Sequence, residues 1–199
     1  ELIANLAGKG FDGLVAPTDV ELILRAYLAW DTSCVDHLIG DFAFAIWDGR
    51  TRRLFCGRDH FGVMPFFYAS VGKSLIFSNT LDCLRLHPEI SAELNEVAIG
   101  DFLLFGTNQD PATTTFADIQ RLPGAHWLTC AEGRARTGRY WSLPVNGHVR
   151  YPKPSDYVEH FKEHLQTAVE DRLRTNRVSC EMSGGLDSPS IAATAKSIL

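Results

Sequence analysis

A six-residue segment near the C-terminus, Ser183-Gly184-Gly185-Leu186-Asp187-Ser188, combines residue types that bind phosphate groups. Its two adjacent glycines let backbone N–H groups approach phosphate oxygens without obstruction by a Cβ atom. Ser183 and Ser188 add hydroxyl donors. A carboxylate at Asp187 would repel phosphates by itself, so its presence is best explained by a divalent cation that it holds against them. The segment therefore predicts a site for a polyphosphate and a metal ion.

This segment is not a Walker A loop, because no lysine follows its last glycine. Gly72-Lys73-Ser74 has the required tail, but it lacks a glycine five residues before Gly72, and a strand rather than a helix is expected after it. We therefore interpret Gly72-Lys73-Ser74 as a hairpin turn. The alternative for Ser183 to Ser188 is a plain strand-to-helix turn. Two serines and an acid beside the paired glycines favour phosphate binding over that alternative.

The elements around this segment are those that a phosphate loop needs. Val178 to Met182 is a short apolar run that predicts a strand, and a helix is expected from about Ser188 to the end. Such an order aims the N-terminus of the helix, with its positive dipole end, at the bound anion. Upstream, apolar residues at helical spacing predict a long amphipathic helix that begins near Ser155 or Asp156.

Proline-rich sequence without apolar periodicity separates this region from the rest of the chain. We therefore expect a first domain over residues 1–145, a linker over 146–154 and the start of a second domain over 155–199. In the first domain, Thr18 and Glu21 predict the capping box of a helix. Short apolar runs between turn residues predict antiparallel strands at 42–47, 54–56, 65–69, 75–78, 127–129 and 139–141, and helices at 81–86 and 97–105.

Composition limits the classes of partner. The chain has 199 residues and a net charge of −5, which gives no electrostatic support for binding nucleic acid. The sequence contains no run of 18 apolar residues, so we expect no membrane-spanning helix. The five cysteines match no zinc or redox spacing and the histidines show no metal spacing, so we expect scattered thiols in a reducing, cytoplasmic setting.

The sequence Ser-Gly-Gly-Leu-Asp-Ser resembles the pyrophosphate loop of the ATP pyrophosphatase superfamily. Upstream stretches narrow the resemblance to the glutamine-hydrolysing asparagine synthetase family. The stretches similar to motifs of that family, in the same order along the chain, are Thr18-Asp19-Val20-Glu21, Gly40 to Asp48, Arg58 to Pro65, Asp101 to Gly106, Leu122-Pro123-Gly124 and Arg139-Tyr140-Trp141. The resemblance thus covers nearly the whole chain.

The resemblance implies an α+β protein. Its first domain would be an αββα sandwich of the Ntn type, a class II glutaminase that releases ammonia from glutamine. The second would open with the first strand, loop and helix of an α/β ATP pyrophosphatase domain, which activates a carboxylate such as that of aspartate as an acyl-adenylate. The implied substrates are ATP, glutamine and the carboxylate, with Mg²⁺ as cofactor, and a homodimer is a possible assembly.

The resemblance also implies roles for single residues. Ser183, Gly184, Gly185 and Ser188, with Leu186 between them, would hold pyrophosphate, and Asp187 would bind Mg²⁺. Asp19 would accept a hydrogen bond from the α-ammonium group of glutamine. The alternative for Asp19 is an acid that favours the first turn of a helix.

The chain also departs from the family pattern. The nucleophilic cysteine and the Asn-Gly-Glu segment of such proteins would lie before Glu1, and most of the synthetase domain after Leu199, so we assign no catalytic residue and expect neither half-reaction from this chain alone. Met64 stands where lysine is usual, and Asn79-Thr80 where Ser-Glu is usual. These changes leave open a cyclase or β-lactam synthetase type of relative, which does not use glutamine, and a non-catalytic scaffold.

Overall fold

A computed structural model of the protein describes residues 2–199. The chain divides into two compact units, one ending at Leu143 and the other formed by Pro144–Leu199. Within residues 2–199, no helix is both long and apolar enough to cross a membrane.

The first unit contains four α-helices, a 3₁₀ segment and seven strands among its described residues. In chain order these are α1 (Leu2–Ala7), α2 (Asp19–Trp30), the 3₁₀ segment (Asp31–His37), β1 (Ala43–Asp48), β2 (Arg53–Arg58), β3 (Phe67–Val71), β4 (Ser74–Ser78), α3 (Leu81–Arg85), α4 (Glu96–Phe105), β5 (Gln120–Arg121), β6 (His126–Ala131) and β7 (Arg134–Arg139). The predicted cap of α2 is confirmed, since the Glu21 N–H donates to Thr18 Oγ1 at 3.3 Å.

The strands form two antiparallel sheets. The first has the order β1-β2-β6-β7 and the second the order β4-β3-β5. In the first sheet Ala45 pairs with Cys56, which in turn pairs with Leu128. The β3–β4 connection is a tight hairpin at Gly72-Lys73, as the sequence predicted.

Three apolar clusters show the order of the layers. Phe55 and its neighbours on one face of the first sheet pack against α2 and the 3₁₀ segment, through residues such as Ala26 and Val35. The alternate residues of β2, Leu54 and Cys56, share a cluster with residues of the second sheet. The far face of the second sheet packs against α3. The expected αββα order, helix, sheet, sheet, helix, is therefore confirmed for the first unit.

The second unit consists of two helices and irregular segments. α5 (Pro154–Glu170) packs with α6 (Asp187–Ile198), and the buried residues of this pair are Val169 and Ala195. Ahead of α5 the linker folds back onto the helix, where the Tyr151 N–H donates to Tyr157 Oη at 3.0 Å.

Two strand predictions were wrong. Val178 to Met182 forms no strand, because a strand needs a neighbour to share its hydrogen bonds and the described residues 144–199 supply none. The last strand of the first unit is Arg134–Arg139 rather than 139–141. Its polar sequence gives no apolar signal, and its position is set by hairpin pairing with β6. The 3₁₀ segment and β5 were not predicted.

Asp48, at the end of β1, connects α2 to the first sheet. Its carboxylate accepts hydrogen bonds from Tyr27 Oη at 3.3 Å and from the Arg50 N–H at 2.9 Å. Burial by itself would raise the pKa of this carboxyl. The hydrogen bonds from Arg50 and Thr51 outweigh that effect and lower the pKa to about 2.

We predict that Asp48 makes the stability of the protein depend on acid pH. Because its pKa in the folded protein lies below the ordinary value of about 3.9, the stabilisation is complete above that value and is lost as the pH falls towards 2. Urea unfolding at a series of pH values should therefore show a weaker acid dependence for Asp48→Asn than for the wild type. Asp82→Asn, a change at an exposed acid, should keep the wild-type dependence.

Candidate functional site

The turn that follows β2 is held from inside by the buried side chain of Arg58. Its guanidinium donates to three backbone carbonyls, those of Met64 at 2.6 Å, Leu122 at 2.5 Å and Gly62. Burial lowers the pKa of this guanidinium, and the adjacent Asp59 carboxylate opposes the shift. Arg58 thereby fixes the turn against the segment that leads into β6.

Asp59 stabilises the same turn by accepting hydrogen bonds from its backbone N–H groups. Its side chain is 1% exposed, and its carboxylate accepts from the backbone N–H groups of Phe61 at 3.2 Å, Val63 at 2.9 Å and Met64 at 2.9 Å. Hydrogen bonds from backbone N–H groups to an ionised carboxylate are stronger than those between neutral groups. The path of the backbone from residue 59 to residue 64 is therefore fixed by two adjacent buried charges.

Gly124 shows how tightly the neighbouring segment packs on this turn. A Cβ atom at this position would lie 2.8 Å from the Gly62 nitrogen and 3.1 Å from the His60 oxygen. Both are backbone atoms, which cannot move aside. Only glycine permits this approach, which explains the glycine of Leu122-Pro123-Gly124.

A cavity of about 290 Å³ lies beside the turn. Its lining comes from the first half of β1, the end of the turn and the end of β4: Ala43, Phe44, Ala45, Met64, Pro65, Phe66, Phe77, Ser78 and Asn79. Met64 and Asn79 are two of the positions at which the sequence departs from the pattern it resembles. The structure brings these two departures into one cavity, which sequence reasoning did not predict.

Asp19 occupies the first turn of α2 and is exposed to solvent. Tyr27, which anchors the helix to Asp48, lies eight residues after Asp19. This separation corresponds to about 12 Å along the helix axis. Asp19 therefore lies away from the Asp48 end of the first sheet, and its carboxylate is available to a ligand.

In the second unit, Ser183 to Ser188 forms a compact loop held by its own hydroxyl groups. Ser188 Oγ accepts from the Ser183 N–H at 3.1 Å and lies 3.2 Å from Ser183 Oγ. The Gly185 N–H donates to Ser183 Oγ at 3.4 Å. Gly184 has a φ of +80°, which glycine adopts without strain. The two serines thus draw the ends of the loop together around its glycines.

The loop leads directly into α6, whose first residue is the exposed Asp187. The N–H groups of the first helical turn lack partners within the helix and carry the positive end of its dipole. The loop thus offers serine hydroxyls and backbone N–H groups that could donate to a phosphate group. It also offers one carboxylate that could bind Mg²⁺, an ion that commonly takes one or two protein carboxylates together with phosphate oxygens.

Two of the five cysteines, Cys34 and Cys56, are buried and unsuited to act as nucleophiles. Burial raises the pKa of the thiols of Cys34 and Cys56 to about 12, so neither is a thiolate at neutral pH. Among residues 2–199, no three side chains of His, Cys, Asp or Glu come together as a metal site.

Sequence reasoning recognised the Arg58 to Pro65 motif but missed what its charged pair does. Two adjacent charged residues between an apolar strand and a Gly-x-x-Pro turn could have predicted this role. Charged side chains at such a position are buried only when they have hydrogen-bond partners. Their partners are backbone atoms, which sequence patterns do not identify.

Comparison with known proteins agrees with this two-part organisation. Residues 1–141 match the family model for the glutamine amidotransferase domain, and residues 160–199 match the model for asparagine synthase. Among solved structures, the glutamine phosphoribosylpyrophosphate amidotransferase of B. subtilis aligns over 98% of this chain and 41% of that chain, with 13% identity and a TM-score of 0.45.

Curated relatives match over most of the chain. Asparagine synthetase [glutamine-hydrolyzing] 3 of Bacillus subtilis is 35% identical over 89% of this chain and 29% of the relative. Asparagine synthetase [glutamine-hydrolyzing] 2 of the same organism is 32% identical over 96% of this chain and 27% of the relative. A putative asparagine synthetase of Methanocaldococcus jannaschii is 31% identical over 87% of this chain and 34% of the relative. The chain thus spans about three tenths of the length of these relatives.

We predict that Arg58→Met destabilises the first unit by about 3 kcal/mol or more, because three carbonyls lose a charged donor inside the protein. Urea unfolding, followed by circular dichroism, measures the change. Arg136→Met, at an exposed arginine of β7, should change the free energy of unfolding by less than about 0.5 kcal/mol. Equal effects of the two substitutions would contradict the role assigned to Arg58.

Proposed function

Because the chain belongs to the glutamine amidotransferase domain family and continues into an asparagine synthase segment, we propose that it forms part of an enzyme that makes amides with ATP and glutamine. The observation that carries this proposal is the succession of two features in one chain. A sandwich of the glutaminase family is followed by a serine- and glycine-rich loop at the start of a helix. The first feature supplies nitrogen and the second binds a nucleotide.

The proposed role of the loop is to bind the phosphates of ATP that leave as pyrophosphate. Ser183 and Ser188 would donate hydroxyl hydrogens, and the backbone at Gly184 and Gly185 would approach the phosphates closely. Asp187 would hold Mg²⁺, which neutralises phosphate charge when bound. A carboxylate cannot expel oxide when an amine attacks it, so its conversion to an acyl-adenylate provides AMP as the leaving group.

Nitrogen would come from glutamine bound at the first unit. Asp19 at the start of α2 would accept a hydrogen bond from the α-ammonium group of glutamine, a charged pair suited to an exposed carboxylate. Arg58 and Asp59 are positioning residues here, because they fix the turn beside the cavity and are themselves buried. Aspartate is the proposed acceptor, with asparagine as the product.

One observation favours a second candidate. Met64 and Asn79, which stand where lysine and serine are usual in the family pattern, line the same cavity. A cyclase or a synthetase of the β-lactam type, in which an amine already present in the substrate attacks the acyl-adenylate, would place no demand on a glutamine site in the first unit. The same nucleotide loop would serve either chemistry.

We predict that the full-length protein exchanges pyrophosphate into ATP only in the presence of a carboxylate substrate. Asp187→Ala should lower the exchange rate by about 100-fold or more, because several kcal/mol of charge stabilisation is lost with the metal. Glu181→Ala, at an exposed acid six residues earlier, should keep the wild-type rate. Exchange with other carboxylates but not with aspartate would exclude asparagine synthesis. If no carboxylate supported the exchange, the remaining hypothesis would be a non-catalytic scaffold.

We further predict that Asp19→Asn raises the KM for glutamine by about 10- to 100-fold, the effect of losing one charged hydrogen bond. Amide synthesis with ammonium chloride as the nitrogen source should not change. Asp12→Asn, at another exposed acid before α2, is the matched control. A parallel loss of glutamine- and ammonia-dependent synthesis would show that Asp19 acts on the fold instead.

A further inference from the structure

Two histidines of α5, His160 and His164, lie side by side on one face of the helix. Their ring centroids are 4.2 Å apart, and the ring planes are inclined by 53°. Residues four apart share a helix face, so both imidazoles can reach one ligand. Imidazole is the commonest protein ligand of transition metals, and two histidines at this helical spacing are an arrangement that binds Zn²⁺. The expectation that the histidines show no metal spacing overlooked this pair.

Tyr151, in the linker before α5, holds His160 in place. Its hydroxyl oxygen is hydrogen-bonded to His160 Nδ1, and the two rings meet edge to face with their centroids 5.5 Å apart. The backbone N–H of Tyr151 donates to Tyr157 Oη at 3.0 Å, which fixes the tyrosine at its other end. When Nδ1–H donates to the tyrosine, Nε2 carries the lone pair that a metal ion binds. Metal-binding histidines commonly have their second nitrogen hydrogen-bonded in this way.

The charges of α5 favour a cation at this pair. The helix contains four acids and one lysine, and this lysine, Lys162, pairs with Glu159 at 3.5 Å. Asp156 lies four residues before His160 and therefore shares its face. Imidazole nitrogens suit Zn²⁺, Ni²⁺ and Cu²⁺, whereas Mg²⁺ and Ca²⁺ prefer oxygen ligands. The pair should therefore select a transition metal.

We propose that His160 and His164 form a binding site for a divalent transition metal, with Tyr151 as its positioning residue. The two imidazoles would occupy two positions of a tetrahedral ion such as Zn²⁺, and water the others. Because Tyr151 belongs to the linker, a bound ion also holds the linker on α5. This coupling is reciprocal: the factor by which the Tyr151 contact strengthens metal binding equals the factor by which the metal stabilises that contact.

Isothermal titration calorimetry of the full chain with Zn²⁺ tests the proposal, in an excess of Mg²⁺ that fills sites made of oxygen ligands. His160→Gln and His164→Gln should each weaken binding at least about 10-fold, since loss of a supporting hydrogen bond alone has such an effect. His87→Gln, at a histidine of the first unit, should leave binding unchanged. If the double variant of the pair bound Zn²⁺ as the wild type does, the ion would lie elsewhere, for instance at the exposed Cys83 or Cys180, and the proposal would be overturned.

Tyr151→Phe tests the positioning role without removing a ligand. The variant keeps the aromatic ring and loses the hydroxyl, so the affinity for Zn²⁺ should fall about 10-fold. Saturating Zn²⁺ should slow trypsin cleavage after Arg150, in the linker, by about the same factor in the wild type and should have no effect in Tyr151→Phe. Cleavage after Arg174, an exposed site outside the linker, is the internal control. Equal slowing at both sites, or unchanged affinity of Tyr151→Phe, would contradict the role assigned to Tyr151.

Discussion

Two opposite charges, buried next to each other at Arg58 and Asp59, determine the shape of the first unit at its candidate site. Neither forms its main contacts with another side chain. The guanidinium binds carbonyl oxygens and the carboxylate binds N–H groups, so the pair satisfies the backbone of an irregular segment that no sheet or helix supports. Without these bonds the turn would bury unsatisfied polar groups, at a cost of about 1–3 kcal/mol each.

The consequences of this pair extend beyond the turn. Tyr140 donates to the Arg58 carbonyl at 2.7 Å, and the Ala125 N–H donates to the Asp59 carbonyl at 2.8 Å. The turn is therefore a junction between β2 and the segments on either side of the β6–β7 hairpin. Because β1 and the end of β4 face the same cavity, the junction also sets the shape of that cavity.

The two units place their charged and polar groups differently. The first buries its charges and uses them internally, which leaves an exposed acid at a helix start as its candidate contact. The second holds its donors at the surface, in a loop closed by two serines ahead of a helix. The second arrangement leaves the loop donors exposed, as the proposed binding of a polyphosphate requires.

The sequence by itself determined the local features of this protein. The N-cap of α2 at Thr18, the hairpin at Gly72-Lys73, the amphipathic α5 and the glycine loop depend on residues close together in the chain, so sequence patterns predicted them. Motif order also indicated the family and the αββα layers.

Tertiary structure decided everything that depends on distant partners. β7 exists because β6 pairs with it, and Val178 to Met182 is not a strand because its own unit offers it no neighbour. The contacts of Arg58 and the meeting of Met64 and Asn79 in one cavity follow from segments that are far apart in sequence. A sequence pattern states which residues can be buried or paired. Only the folded chain fixes which atoms are close enough to do so.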